Sequence, residues 1–142
     1  MKMQTIHAPA VRDPAPRTWS NAKVCGNQFF VSGMTAHDGQ GHVEGGSGMY
    51  DQAMQTFRKI QGMVEAAGAK MDDIIQLNIY VTDIGLRKEV WRAREHFFTG
   101  DFPCSTLVEV SALATPDLLV EINAVGFVAP GLRQTRLVRR LN

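Results

Sequence analysis

The residues of this chain best suited to chemistry lie between positions 102 and 125, in the segment FPCSTLVEVSALATPDLLVEINAV. Its apolar runs predict two strands joined by a turn, and Glu121 stands inside the second strand. A partly buried carboxyl group has a raised pKa and transfers protons well near neutral pH. Glu121 could therefore transfer protons if it is partly buried, with a structural carboxylate paired at an interface as the alternative.

Other reactive side chains form weaker patterns. No histidine at a suggestive spacing supports Ser105 as a nucleophile. His37 and His42 flank a glycine-containing loop, but a third metal ligand is missing from the pattern. Cys25 and Cys104 lie far apart and lack zinc-ligand spacing. The sequence therefore predicts neither a serine nucleophile nor a metal site.

Length and composition are those of one ordinary domain. The chain has 142 residues, of which 44% are hydrophobic and 20% charged. No apolar run approaches the roughly 18 residues of a membrane span, and the first residues lack the apolar core of a signal peptide. We expect a cytoplasmic protein with a core at about 17–128, an N-terminal segment at 1–16 and a C-terminal tail at 129–142.

Charge gives little reason to expect a nucleic-acid partner. The net charge is +1, and nucleic-acid binding depends on clustered Lys and Arg that neutralise phosphates. The tail is the exception, since it contains Arg133, Arg136, Arg139 and Arg140. We interpret it as a solvated basic end, with a subunit contact or an anion-binding role as alternatives.

The periodicity of the chain predicts the order βββ-α-β-α-β-β. Gly26-Asn27 indicates the turn of a hairpin, and a repeat of three and four residues predicts a helix that Gly68 ends. Residues 1–17 predict an irregular or edge segment. The remaining elements are predicted at 24–32, 50–67, 75–81, about 86–98, about 104–112 and about 118–128. A glycine-rich loop is predicted at 37–48, with a short strand near 42–44.

Two helices of this length can cover only one face of such a sheet. Alternation in the last two strands assigns Val108, Val110, Val120 and Ile122 to the covered face. The open face then holds Leu107, Leu119, Val125 and Phe127 mixed with Glu109, Glu121 and Asn123. Such a face is too apolar for water, and it indicates an oligomer interface that contains some polar function.

A series of short motifs resembles the Rid family, also called YjgF, L-PSP or reactive-intermediate deaminases. The resemblance spans roughly residues 17–128 and depends on the order and spacing of the motifs. They are Trp19-Ser20-Asn21-Ala22, Phe30-Val31-Ser32-Gly33, Gln52-Ala53, Ala66-Ala67-Gly68, Asp72-Asp73-Ile74-Ile75, Tyr80-Val81-Thr82-Asp83, Pro103-Cys104-Ser105-Thr106 and Val120-Glu121-Ile122-Asn123-Ala124.

This resemblance implies a chorismate-mutase-like α+β fold, with one mixed β-sheet and two helices packed on one face. It also implies a homotrimer with a cleft between each pair of neighbouring subunits. Archetypal members hydrolyse reactive enamines and imines to a keto acid and ammonia, without a metal or a cofactor. In them an arginine grips the substrate carboxylate, and a glutamate in the last strand places or activates water.

The family's site residues are only partly retained. Glu121 keeps the acidic position, and Ser32 matches a small polar residue on the cleft wall. The other family residues are replaced: the arginine by Ser105, the helical asparagine by Trp91, the pocket cysteine by Leu107 and the N-terminal tyrosine by Trp19. The chain thus resembles an arginine-lacking subgroup, because a hydroxyl cannot replace a guanidinium fork.

These observations predict an enamine or imine deaminase-like hydrolase that acts on a small reactive metabolite with altered specificity. Glu121 would activate water, and the predicted substrate-binding residues are Ser32, Ser105, Leu107, Trp91 and Trp19. A non-catalytic small-molecule-binding trimer is the alternative, and L-PSP-like endoribonuclease activity has the least support. An arginine from Arg87, Arg92, Arg94 or the tail could also enter the cleft, and nothing in the sequence selects one.

Overall fold

A six-stranded mixed sheet with two α-helices on one face forms the part of the chain, residues 2–129, that the computed structural model describes. In chain order the elements are β1 Met3–Ile6, β2 Ala22–Cys25, β3 Gln28–Met34, α1 Met49–Ala66, β4 Ile74–Val81, α2 Arg87–Arg94, β5 Cys104–Glu109 and β6 Val120–Phe127. The spatial order of the strands is β1-β2-β3-β6-β4-β5. This architecture confirms the predicted α+β fold.

All pairs of neighbouring strands are antiparallel except β4 and β5. The chain returns from β4 to β5 through α2, because parallel strands need a crossover connection. The predicted hairpin is confirmed, with Gly26 in the left-handed region at φ 64° between β2 and β3. The N-terminal segment contributes β1, which is one edge of the sheet, and β5 is the other. The strand predicted near 42–44 is only an isolated bridge between Val43 and His37.

Helix α1 provides most of the apolar surface that covers the sheet. It ends close to the predicted point, and Gly68 follows it at φ 85°. Its apolar stripe packs against β3 and β6, and the fully buried members of this stripe are Ala53, Phe57, Ile60, Met63 and Val64. Each such large apolar side chain contributes roughly 1.5–3 kcal/mol by burial, which fixes the sheet against the helix.

Helix α2 is shorter than predicted. It begins after a short 3₁₀ turn at Ile84–Leu86 and ends at Arg94, not near residue 98. Phe97 stacks on Phe57 at 5.2 Å between ring centroids, and Phe98 meets the same ring edge-on at 6.2 Å. Both rings therefore pack on Phe57 from the turn that follows α2.

Strand pairing decides which side chains share a face. Ile79 of β4 pairs with Ile122 of β6, and both are buried beneath the helices, as predicted for Ile122. Ile79 also pairs with Leu107, and the next pair is Tyr80 with Val108. Leu107 therefore lies on the covered face and Val108 on the open face.

The predicted assignment of β5 was thus wrong for Leu107, Val108 and Glu109. In this strand the side chains on each of the two faces include apolar residues. Alternation therefore shows which residues share a face, but not which face meets the helices. The parallel pairing with β4 decides it: Val81 pairs with Glu109 and is fully buried. In β6 the predicted open-face residues Glu121, Asn123, Val125 and Phe127 do alternate with buried ones.

The open face carries an apolar surface that no helix of residues 2–129 covers. Phe30 is 44% exposed, Val108 is 42% exposed and Phe127 is 38% exposed. None of the helices within 2–129 is both long enough and apolar enough to cross a membrane. The four tail arginines predicted as a basic end lie outside the described residues.

Candidate functional site

A cleft of about 940 Å³ lies beside Glu121. The N-terminal segment forms one wall with residues 10–16, and the end of β3 forms another with Ser32, Gly33 and Met34. Trp19 and Glu121 complete the part of the lining predicted from sequence. Three of the predicted site residues, Trp19, Ser32 and Glu121, are thus brought together within one protomer.

Glu121 presents a half-buried carboxyl group to this cleft. It makes no hydrogen bond and no ion pair with any other residue between 2 and 129. Burial raises the pKa of Glu121, because the protein replaces part of the water that would stabilise its charge. The result is a carboxyl group that exchanges a proton more readily near neutral pH than an exposed glutamate does.

A glycine on the neighbouring strand makes room for this carboxyl group. A Cβ atom on Gly33 would lie 2.6 Å from Oε2 of Glu121, which is closer than real atoms approach. Any side chain at position 33 would therefore displace the carboxyl group. On this wall of the cleft, Ser32 thus provides a small polar side chain, and Gly33 leaves the space that the carboxyl group occupies.

Gln52 of α1 holds the start of β6 in place. The side chain is fully buried, and its Nε2 donates to the carbonyl oxygens of Ser47, at 3.0 Å, and Asp117, at 2.9 Å. Its Oε1 accepts a 2.9 Å hydrogen bond from the backbone N–H of Leu119. Glu121 follows two residues later, so a buried amide in the helix layer fixes where the carboxyl group enters the sheet.

Ser32 and Trp19 are held by backbone and amide contacts. Ser32 donates its hydroxyl proton to the carbonyl oxygen of Ser20 at 2.5 Å. The indole Nε1 of Trp19 donates to Oδ1 of Asn21 at 3.3 Å, and Nδ2 of Asn21 donates to the carbonyl of Arg12 at 2.9 Å. Trp19 remains 62% exposed, so its ring face stays free to stack on a ligand.

Lys59 is a cleft residue that the sequence interpretation missed. It lines the cleft from α1, and its Nζ donates to the carbonyl of His37 at 2.6 Å. Burial lowers the pKa of Lys59, and the charges of Glu44 and Asp38 partly offset that effect. One signal existed, since Lys59 continues the inward stripe of Gln52 and Thr56 at steps of four and three.

The other predicted site residues lie apart from this cleft. Ser105, Leu107 and Trp91 are not among its lining residues. Oγ of Ser105 accepts a 3.0 Å hydrogen bond from Nη1 of Arg94, and Leu107 packs against the core. We call the group Trp91, Arg94, Ser105 and Leu107 the β5–α2 edge.

The cleft and the β5–α2 edge are on different sides of the sheet. Glu121 pairs with Tyr80, whose side chain faces the open side, whereas Ser105 pairs with the buried Leu77. Glu109, on the same side as Ser105, accepts a hydrogen bond from the N–H of Ile84 at 3.0 Å and so holds the turn before α2. Within residues 2–129 no three His, Cys, Asp or Glu side chains are grouped as metal ligands.

Comparison with known proteins gives a consistent result. The family model described as Endoribonuclease L-PSP matches residues 7–128. A RutC family protein of Pyrococcus horikoshii is 30% identical over 77% of this chain and 86% of its own length. A 2-iminobutanoate/2-iminopropanoate deaminase of Dermatophagoides farinae is 28% identical over 75% of this chain and 83% of its own.

Solved structures resemble the fold over most of both chains. A Pseudomonas aeruginosa protein of unknown function is 38% identical, with a TM-score of 0.80 over 89% of this chain and 93% of that one. The RidA protein of an Antarctic Psychrobacter is 28% identical, with a TM-score of 0.78 over 88% of this chain and 99% of its own.

Proposed function

Because this chain belongs to the endoribonuclease L-PSP family, the same Rid family that its sequence resembles, we propose that it hydrolyses small enamines or imines. The support is the half-buried carboxyl group of Glu121, which faces a cleft, has a raised pKa and makes no hydrogen bond within residues 2–129. Relatives that carry the name 2-iminobutanoate/2-iminopropanoate deaminase act on compounds of this class.

The proposed reaction needs one carboxyl group and one water molecule. An enamine first takes a proton on carbon, which gives the imine protonated on nitrogen. Glu121 in its carboxylate form takes a proton from water while the water oxygen attacks the carbon of this protonated imine, and a carbinolamine forms. The carboxyl group then gives that proton to the nitrogen, and the C–N bond breaks as the hydroxyl proton of the carbinolamine passes back to the carboxylate and from there to solvent. The products are a carbonyl compound and ammonia, and no electrons are transferred.

We also propose that three copies of the chain assemble in the cytoplasm with their open sheet faces turned inward. The exposed apolar side chains of this face, including Phe30, Val108 and Phe127, favour its burial. Such an assembly would bring the β5–α2 edge of one protomer towards the Glu121 cleft of the next. Trp91 and Ser105 would then contact substrate between the two protomers, and Leu107 would support them from the core.

The test is a coupled assay. A pyridoxal-phosphate lyase generates 2-aminoacrylate, and release of ammonia and pyruvate is followed with and without the purified protein. We expect faster release with the wild-type chain and no acceleration with Glu121→Gln. No acceleration across several amino-acid precursors, including bulky and less anionic ones, would contradict the proposal.

A second candidate is a binding protein without catalysis. The observation that favours it is Ser105, a neutral residue at the position where the family carries its arginine. In that case a ligand would stay in the cleft, and Glu121→Ala would keep the biological phenotype as long as binding was retained. A comparison of ligand retention and phenotype in that variant separates the two candidates.

The family model's description also names an endoribonuclease. Digestion of RNA by protein freed from contaminating nuclease tests that activity, and Glu121→Gln is the control. The net charge of +1 gives it little support, since RNA binding depends on neutralised phosphates.

A further inference from the structure

Arg94, in the β5–α2 edge, has a guanidinium that is partly buried without an anionic partner among residues 2–129. Its side chain is partly buried, and its Nε is enclosed by protein without an acceptor among residues 2–129. Nη1 donates to Oγ of Ser105 at 3.0 Å, which is a neutral partner. No carboxylate of the described chain forms an ion pair with this guanidinium.

An arginine in this state has hydrogen-bonding capacity that the protomer does not use. Burial lowers the pKa of Arg94, because part of the water around its charge has been removed. Charged donors that lose water without gaining an acceptor are unfavourable, and protein structures usually pair them. The two terminal nitrogens, Nη2 and the second N–H of Nη1, can hold a carboxylate through two parallel hydrogen bonds.

The neighbouring arginine on the same helix is in the opposite state. Arg92 forms an ion pair with Glu89 at 2.6 Å, and its guanidinium lies 3.9 Å from the centre of the Tyr50 ring. Arg92 is exposed and its partners are local, so it has no need of a ligand. The two arginines differ in burial and pairing although they share one helix.

Trp91 and Arg94 stand three residues apart on α2, so they point to the same side of the helix. Trp91 is 38% exposed, and the guanidinium of Arg87 lies over its ring at 5.8 Å from the centroid. Ser105 lies on the edge strand of the sheet, where no strand of residues 2–129 pairs on its outer side. A small molecule can therefore approach Arg94 from the side that a neighbouring protomer would close.

We propose that Arg94, oriented by Ser105, is the group that binds the carboxylate of the substrate. The inference depends on the proposed function, which it narrows to imines and enamines that carry a carboxylate. Arg94 on α2 thus provides the positive charge that the neutral Ser105 on β5 cannot provide. Ser105 acts as a positioning residue, because its hydroxyl holds Nη1 and leaves Nη2 without a hydrogen bond to any residue of 2–129.

Two cations of the Glu121 cleft are the rival carboxylate binders. Lys59 and Arg12 both line that cleft. Lys59 has committed one donor to the carbonyl of His37 and lies near the charges of Glu44 and Asp38. Arg12 is exposed, so water already satisfies its guanidinium. Neither has the enclosed and unpaired donor of Arg94.

The test uses two probes that differ in charge. Pyruvate, the keto acid that the proposed reaction releases, carries a carboxylate, and pyruvamide is its neutral counterpart. Binding of each to the full-length protein is measured by calorimetry or by ligand-observed NMR. We expect Arg94→Ala to raise the Kd of pyruvate about tenfold or more and to change that of pyruvamide less than twofold.

Matched variants separate binding from folding. Arg92→Ala removes an arginine from the same helix and should leave both affinities unchanged. Arg94→Lys keeps the charge without the fork and should restore part of the pyruvate affinity. Ser105→Ala keeps the guanidinium but removes the hydroxyl that orients it, and should raise the Kd of pyruvate about threefold. If Arg94→Ala does not fold, Arg94→Lys and Ser105→Ala carry the test.

The outcomes are distinct. Pyruvate affinity that is unchanged in the Arg94 variants, or that falls only with Arg12→Ala or Lys59→Met, overturns the inference. Equal losses for pyruvate and pyruvamide overturn it as well, since they indicate a structural role. Arg94-dependent pyruvate binding without any ammonia release supports the inference and contradicts the proposed deaminase. Ammonia release together with pyruvate binding that does not depend on Arg94 supports the proposed deaminase and contradicts this inference.

Discussion

The Glu121 cleft and the β5–α2 edge differ in where they lie in the sheet. The cleft is built from β3 and β6, which are central strands, and Gln52 fixes its geometry from the buried helix layer. The edge is built on β5, the last strand of the sheet, where five of six residues are exposed. The proposed catalytic carboxyl group of Glu121 is thus fixed within one protomer, whereas the proposed binding group, Arg94, lies at an edge of the sheet.

This difference has a physical basis. A catalytic carboxyl group needs a fixed position and a partly dry environment, and the middle of a sheet supplies both. Arg94 at the edge is partly enclosed and lacks an anionic partner among residues 2–129, so a ligand that supplies a carboxylate there would offset the lost hydration. Catalysis by this chain should therefore depend on contact between protomers more strongly than folding does.

The largest expected effect comes from Glu121→Gln. The change keeps the shape of the side chain and removes its proton transfer, so kcat in the coupled ammonia assay should fall about 10²–10⁴-fold. The affinity for pyruvate should change little, because Arg94 is untouched. A variant that retained more than a tenth of the wild-type kcat would exclude Glu121 as the general base.

The same variant has a pH-dependent effect on stability. Burial raises the pKa of Glu121 in the folded state, so charging this group opposes folding as pH rises through that pKa. The Gln variant lacks this penalty and should be slightly more stable than the wild type at pH 8. Below the ordinary glutamate pKa of about 4.3 the difference should disappear, and thermal unfolding at several pH values measures it.

Phe30→Glu should break the assembly. Phe30 is exposed in the open face next to Val125, and a charge there would be buried unpaired if the open faces met. We expect a monomer by light scattering, with an intact fold by circular dichroism and activity reduced tenfold or more. Phe30→Leu, which stays apolar, should remain trimeric and active. A fully active monomer would disprove the need for a second protomer.

Gly33→Ala should displace the carboxyl group with little change in the fold. The added methyl group would overlap Oε2 of Glu121, and that side chain can rotate away at small energetic cost. A misplaced catalytic group lowers kcat, here by about tenfold, while the free energy of unfolding changes by less than ~1 kcal/mol. The control is Gly62→Ala in α1, where the new Cβ meets its nearest atom at 3.6 Å and activity should be retained.

Mixed oligomers test most directly whether one site combines residues of two protomers, and they give the smallest signal. Glu121→Gln lacks the reacting group, and Arg94→Ala lacks the binding group. If one site takes Glu121 from one protomer and Arg94 from its neighbour, random mixing leaves about a quarter of the sites intact. Activity of the mixed sample should then rise about fivefold above the unmixed average. No rise after subunit exchange would place both residues in the same protomer's site.

The local periodicity of the sequence predicted most of the secondary structure. The steps of three and four in α1, the alternation in β4 and β6 and the turn at Gly26 all agree with the structure. These features depend on neighbours a few residues away, which a single sequence displays. Helix α2 was predicted too long, because the packing of Phe97 and Phe98 against Phe57, which is distant in sequence, is not visible in the local pattern.

The candidate site was predicted only in part, and the reason is again distance along the chain. Trp19, Ser32 and Glu121 could be proposed from motifs, but the close approach of Gly33 and the inward position of Lys59 depend on packing. Ser105 and Leu107 were expected beside Glu121, and the pairing of β5 with β4 puts them on the other side of the sheet. The choice of Arg94 among several arginines also needed the fold.

The amino-acid sequence by itself determined the family, the α+β class and the order of the elements, because these depend on patterns repeated over a few residues. Tertiary structure alone decided which side of β5 meets the helices, since both of its alternating sets are apolar enough to be covered. It also decided that Arg94 rests on Ser105 without an acidic partner. A side chain's charge is written in the sequence, but its loss of water and its lack of a partner arise only when distant segments pack together.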